Sequence, residues 1–218
     1  MEREDRPEER CCFDDWVDRW EREAGRHDTV NAVTASLLRA ITEQGVSDRT
    51  VLDVGCGIGD LAIETVAAGA TSATGFDLSP KAIERARELA RQRGVGDRTT
   101  FEVGDGSKLE LPKADVVAVN RVVCCYPDAD GILERTLAAA GKVYAISAPI
   151  SRGATGLYNR VHNGIWNMVY WLREKHYGGF RTFVHDVERI DRRVRAAGFR
   201  RVHHERRRVV WDLAVYAR

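Results

Sequence analysis

The stretch from Val51 to Gly59, VLDVGCGIG, constrains this chain more than any other. Val51, Leu52 and Val54 suit a buried strand, yet Asp53 sets a carboxylate among them with no packing reason. Gly55, Gly57 and Gly59 follow at alternate positions. They remove Cβ atoms where backbone has to pass close to a ligand and turn sharply. After Asp60, Leu61 to Ala68 reads as helix, with Gly69 placed to end it. The stretch is thus strand, glycine loop and helix, with backbone N–H groups facing whatever binds at the helix start.

Gly75-Phe76-Asp77-Leu78-Ser79 closes a second apolar stretch with an acid. Asp77 lies about twenty residues past the glycines, where an open α/β fold presents a carboxylate to a ribose diol. Asp105 stands in a third such position, within Val103-Gly104-Asp105-Gly106. Turn capping would explain Asp77 or Asp105 alone, but not both at strand ends beside the glycine loop. The dinucleotide fingerprint is spaced G-x-G-x-x-G, whereas this loop reads D-x-G-x-G-x-G.

In that tighter spacing and its leading acid, residues 50–148 resemble the class I S-adenosylmethionine-dependent methyltransferases. The resemblance implies one α/β domain over residues 1–218. Its sheet would be Rossmann-like, doubly wound and seven-stranded, mostly parallel with an antiparallel last strand. It implies S-adenosyl-L-methionine as cofactor and S-adenosyl-L-homocysteine as product. Asp53, Gly55, Cys56, Gly57 and Gly59 would meet the methionine part, and Asp77 with Leu78 the ribose. Asp105, Gly106 and Ser107 would lie by the adenine, and Asn120 at the end of the fourth strand completes the set.

A closer resemblance is to the magnesium-protoporphyrin O-methyltransferases. It rests on Phe13-Asp14-Asp15-Trp16 to Trp20, on Tyr126-Pro127, and on Phe183-Val184-His185. Those enzymes carry a tyrosine after the second tryptophan and a histidine before Tyr-Pro, both assigned to catalysis. Here Ala24 and Cys125 stand at those positions, which argues against that specific reaction.

Around the core of residues 46–150, the flanks are read from periodicity. Residues 1–45 comprise a charged tail, then Phe13, Trp16, Val17 and Trp20 at helical spacing. That short helix suits a lid over the cofactor mouth, or simple docking on the outer core. Val30, Val33, Leu37, Leu38 and Ile41 mark a longer helix ending near Gly45. Ser79-Pro80 starts the next helix as cap and first-turn proline. The run Ala114 to Val119 is apolar nearly throughout, as in a strand buried on both faces. Ile132, Leu133, Thr136 and Leu137 mark a helix stopped at Gly141, and Lys142 to Ala148 the fifth strand.

Residues 151–182 form an insertion after that strand, too long for a plain connection. Leu157, Val161, Ile165, Met168, Val169 and Leu172 make a helical stripe, crowded by Tyr158, His162, Trp166, Tyr170 and Trp171. Such a helix would roof the substrate pocket or serve as an extra core helix. Residues 183–218 supply a last helix and a terminal hairpin. Ligands in open α/β sheets bind beyond the carboxyl ends of strands. His162 and Tyr126 are accordingly the candidate bases for removing an acceptor proton, a role that a neutral or protonated nucleophile needs and a carboxylate does not.

Bulk properties bound the rest. Of the 218 residues, 44% are hydrophobic and 31% charged, the balance of an ordinary globular chain. No apolar run reaches the roughly 20 residues of a membrane span, and MEREDRPEER lacks a signal peptide's apolar core. A cytoplasmic protein with no membrane partner is expected. The net charge of +1 argues against a polyanionic partner, although eight arginines crowd residues 192–208. A solvated arginine face is favoured over a nucleic-acid surface, since no aromatics alternate with the arginines. Cys11-Cys12 and Cys124-Cys125 are adjacent pairs, unlike a C-x-x-C zinc site, so no metal is expected, although four thiols at one mouth could take a soft ion. The expected function is methyl transfer to a small or medium, partly aromatic acceptor at oxygen or nitrogen. An S-adenosylmethionine-binding protein without transferase activity and an RNA methyltransferase are the alternatives.

Overall fold

The structure, a computed structural model, describes residues 11–14, 17, 31–173, 179–207 and 210–218. Helix α1 (Ala32–Thr42) precedes β1 (Thr50–Val54), α2 (Asp60–Ala67), β2 (Ser72–Asp77), α3 (Pro80–Gln92) and β3 (Thr99–Val103). Then come β4 (Ala114–Asn120), α4 (Ala129–Ala139), β5 (Ala140–Pro149), α5 (Gly153–Leu172), α6 (Val187–Ala196), β6 (Arg200–Arg207) and β7 (Trp211–Ala217).

The seven strands lie in the order β3-β2-β1-β4-β5-β7-β6. Strands β1 to β5 pair in parallel, and β7 runs antiparallel between β5 and β6. The order reverses between β1 and β4, which opens a crevice above their carboxyl ends. Strand β4 is buried along nearly its whole length because helices cover both faces of the sheet. One layer gathers Leu37, Ile41, Ile83 and Phe101, and the opposite layer Leu133, Tyr144, Val194 and Phe199.

Local chemistry sets the helix starts. Asn31 accepts the Val33 N–H at 3.0 Å, Ser79 the Ala82 N–H at 3.0 Å, and Asp186 the Glu188 N–H at 3.0 Å. Pro80 occupies the first turn of α3, as expected. Gly141 does not stop α4: the helix passes directly into β5, where Gly141 lies within the strand. A Cβ there would sit 3.0 Å from the Ala114 carbonyl oxygen, so close strand pairing, not helix termination, requires glycine.

The insertion is helical as expected, but its amphipathic direction is inverted. Leu157, Val161, Ile165, Met168 and Leu172 face outward, each more than half exposed. The protein side of α5 is Gly156, Asn159, Asn163, Asn167 and Tyr170. Asn159 donates to the Ile150 and Val210 carbonyls at 2.8 and 3.1 Å. Asn167 accepts the Thr182 N–H at 2.8 Å and donates to its carbonyl at 2.8 Å. These amides satisfy loop backbone that apolar side chains would have left unpaired. The anchoring face is therefore polar and the free face greasy.

Candidate active site

A cleft of about 370 Å3 opens over the carboxyl ends of β1, β2 and β4. The glycine loop forms its floor. Gly55, Gly57 and Gly59 all have left-handed φ values, 73°, 54° and 83°. At Gly55 a Cβ would lie 2.3 Å from a Val122 methyl, so only glycine admits this turn beneath the segment after β4. Gly59 lies under the loop and caps α2; its missing Cβ makes room for the Phe101 ring, 2.9 Å from the Cβ position.

Of the expected cofactor residues, Asp53, Gly55, Cys56, Gly57, Asp77, Leu78, Asp105, Gly106 and Asn120 line the cleft. Gly59 and Ser107 do not, and they act on residues that do. Ser107 donates its N–H and hydroxyl to Asp105 Oδ1, at 3.0 and 2.8 Å.

The buried acids differ in what they still lack. Asp77 accepts the Gly57 N–H at 2.8 Å on one oxygen and the Ser79 N–H at 3.0 Å on the other. Burial pushes its carboxyl up, against the pull of those N–H groups. Each of its oxygens keeps a further lone pair. Asp53 is 1% exposed, and its Oδ1 is buried with no hydrogen-bond partner. Burial, then the neighbouring Asp77 charge, pushes Asp53 up to about 7, while the Ala62 N–H pulls it down. An orphaned acceptor at the floor of a cleft fits a cationic ligand group.

Asp105 sits in a different setting. Burial pushes its carboxyl up, but bonds from Ser107, Lys108 and Tyr126 outweigh that and hold it below the carboxylate range. The Tyr126 hydroxyl lies 2.9 Å from both Asp105 oxygens and 2.7 Å from Ser107 Oγ. Tyr126 lines the cleft, but burial together with the Asp105 charge, only partly offset by the Ser107 bond, pushes its phenol up. That direction makes it a donor at neutral pH rather than a base.

His162 is placed away from the cleft. It is exposed on α5, stacked with Tyr158 at 5.7 Å, and accepts the Trp166 Nε1–H at 2.9 Å. Asn163, the next residue, is the one turned inward. His185 bonds the Tyr126 carbonyl at 2.9 Å and stacks on Phe183, a supporting role.

Other lining residues carry no signature in the sequence. Asn31 and Thr34 reach the cleft from the start of α1, and Thr34 accepts from Asn120 Nδ2 at 2.8 Å. The Asn120 Oδ1 accepts the Ser147 hydroxyl at 2.7 Å, so this amide is spent on cross-strand support. Arg121 is the one cation lining the cleft among the described residues, and its φ of 62° is unusual for a non-glycine. Its guanidinium lies 5.5 Å from the Trp211 ring centre. Only the strand-end position points to it.

Above the β4 and β5 ends the wall is aromatic. Tyr170 meets Phe180 edge-on at 5.2 Å, and Phe180 meets Phe13 edge-on at 5.6 Å. Phe13 thus brings the expected lid segment to the mouth, and Val17 is buried against Ile58 and Ala82. Trp16, Trp20 and Ala24 lie outside the described residues. Cys124 and Cys125 also line the cleft, their sulfurs 3.3 Å apart. The sulfur contact itself pulls the Cys124 thiol down, helped by Arg121, and pushes Cys125 up. Among the described residues no group of three metal-ligating side chains is present.

The arginine-rich end is largely internally paired. Asp130 holds Arg189 and Arg193 at 2.5 and 2.6 Å, and Asp191 holds Arg195 and Arg201 at 2.8 and 3.3 Å. No helix among the described residues is long and apolar enough to cross a membrane.

Residues 46–162 match a family model described as a methyltransferase domain. Curated relatives include the ribosomal protein L11 methyltransferases of Pasteurella multocida and Haemophilus influenzae, each 42% identical over 96 residues. That match covers 44% of this chain and only 31% of each relative. Among solved structures, a magnesium protoporphyrin IX methyltransferase from Synechocystis PCC 6803 with bound S-adenosylhomocysteine superposes at TM-score 0.70. It is 22% identical, over 92% of this chain and 93% of that one. An O-methyltransferase family 2 protein from Planctomyces limnophilus in complex with apigenin gives 0.67 at 18% identity, over 94% and 62%.

Proposed function

The chain belongs to the methyltransferase-domain family, and from that premise we propose that it transfers a methyl group from S-adenosyl-L-methionine to a small, partly aromatic acceptor at oxygen or nitrogen. The orphaned, buried Asp53 Oδ1 at the floor of the cleft carries the cofactor reading. It meets a ligand bearing an α-ammonium, and Arg121 supplies the cation for the carboxylate of the same group. Gly55 and Gly57 keep side chains out of the way, and Asp77 accepts from the ribose hydroxyls with its remaining lone pairs. Asp105, held by Ser107, Lys108 and Tyr126, faces the adenine end.

When bound, the cofactor supplies an activated methyl on a sulfonium, already attached to a good leaving group. The chain's task is then to position the acceptor and exclude water. The wall of Phe13, Tyr170 and Phe180 does this for a planar, apolar acceptor. Among the described residues no histidine lines the cleft, so an acceptor that ionises readily suits it better than an alcohol needing a strong base. The L11 methyltransferases named above raise a protein acceptor as a second reading. A 96-residue likeness that leaves most of each relative uncovered supports it less than the aromatic wall of the cleft supports a small molecule.

Calorimetry with S-adenosyl-L-methionine tests the cofactor assignment. Micromolar binding is expected in the wild type and none in Asp77→Ala; retained micromolar affinity in that variant would sink the ribose role. A panel of aromatic carboxylates, phenols and amines then tests the acceptor class by methyl transfer.

A further inference from the structure

Among the described residues, nine large hydrophobic side chains are exposed, and eight of them lie on α5. Leu157, Tyr158, Val161, Ile165, Trp166, Met168, Trp171 and Leu172 span a helix of about 30 Å at 1.5 Å per residue. Contiguous apolar surface of this kind marks a contact with something other than water. From the geometry of this face we infer that α5 lies in the plane of an anionic membrane surface, apolar side down.

Three observations select that occupant. From Gly153 to Arg173 the sequence has no acidic residue, and Arg160 and Arg173 are exposed beside the stripe. A second copy of the chain would set these like charges against each other, whereas anionic headgroups complement them. Tyr158, Trp166 and Trp171 lie along the same stretch, and amphipathic rings of this sort favour the headgroup level. The polar side of an interfacial helix normally faces water; here Asn159, Asn163 and Asn167 face the protein, so the fold itself takes the place of solvent. The helix is not apolar enough to cross a bilayer, which leaves it lying on the surface.

The orientation follows from an aromatic ladder. Tyr158 stacks on His162 at 5.7 Å, and tilted contacts at 6.1 and 5.9 Å continue through Trp166 to Tyr170, passing from the exposed face to the cleft wall. Docking on this face therefore brings the cleft mouth beside the bilayer. The docking itself does not depend on the transfer chemistry.

Co-sedimentation of the full chain with vesicles tests the inference, using phosphatidylglycerol and phosphatidylcholine in equal parts against phosphatidylcholine alone. Binding to the anionic vesicles is expected, weakening at high salt, with little binding to the neutral ones. Ile165→Glu combined with Met168→Glu changes only exposed positions and should cut the bound fraction about tenfold, with the melting temperature and cofactor affinity unchanged. Failure of the wild type to bind anionic vesicles overturns the inference. So does equal, salt-insensitive binding to both vesicle types. A wild-type dimer in sedimentation equilibrium that the double variant dissociates would assign the face to a second copy instead.

Discussion

Gly55 and Tyr170 line the same cleft, yet one is required for what it lacks and the other reaches it on a helix hung from the fold by asparagines. On the β1 and β2 side, the shape comes from left-handed backbone and from carboxylates buried at strand ends. On the β4 and β5 side, it comes from ring packing among Phe13, Tyr170 and Phe180. The first wall tolerates almost no side-chain change, because the constraint is on main chain. The second can be repacked without disturbing the sheet. A shared cofactor and variable acceptors call for this division of labour.

Gly55→Ala should break the first wall most severely. The added Cβ combines a left-handed φ with a 2.3 Å approach to Val122. A stability loss of about 2–4 kcal/mol is expected, read as a lower denaturant midpoint at unchanged slope. Cofactor affinity should fall more than about tenfold with it.

Asp53 sharpens the comparison through pH. Its folded-state carboxyl is raised to about 7, so between the ordinary carboxylate range and that value the native state keeps a proton the unfolded chain has released. Stability of the ligand-free protein should therefore fall as pH rises through that window. Affinity for S-adenosyl-L-methionine should move the other way and be about tenfold weaker at pH 6 than near pH 8, because only the ionised carboxylate attracts an ammonium. Asp53→Asn should flatten both profiles; thermal melts and calorimetry across pH check them.

Tyr170→Ala probes the second wall. The acceptor KM should rise about fivefold through lost ring contact, while the dissociation constant for the cofactor stays put. A matching loss of cofactor affinity would show that the two walls are not independent. The smallest effect is expected for His162→Ala, less than about twofold on kcat, because the ring stands on the outer side of α5. A drop beyond tenfold would require α5 to turn over during the reaction.

The glycine loop and its three acids are legible in the sequence because their demands are made by backbone, which side-chain identity reports directly. The direction of α5 is not, since a 3.6-residue stripe fixes the width of an apolar face but not whether it points inward. The signal lies in Asn159, Asn163 and Asn167, spaced four apart on the opposite side. Asn159 and Asn167 anchor loop backbone and Asn163 lines the cleft, roles to which the periodicity of apolar residues is blind. His162 stands outside the cleft for the same reason, and Arg121 is legible only from its place at the end of β4, because a left-handed arginine has no signature of its own.

Strand β7 carries one more consequence. Wedged between β5 and β6, it pairs with a strand that precedes it by the whole of α5 and α6. Contacts so distant along the chain close late, because the entropy of the intervening loop is lost before they repay it. The β1–β4 pairing at the carboxylate floor carries the same cost, since Val51 meets Val116 across as much chain as separates Pro149 from Trp211 at the head of β7. The cofactor half and the acceptor half of the cleft are therefore completed together, when the sheet closes across both of these long connections.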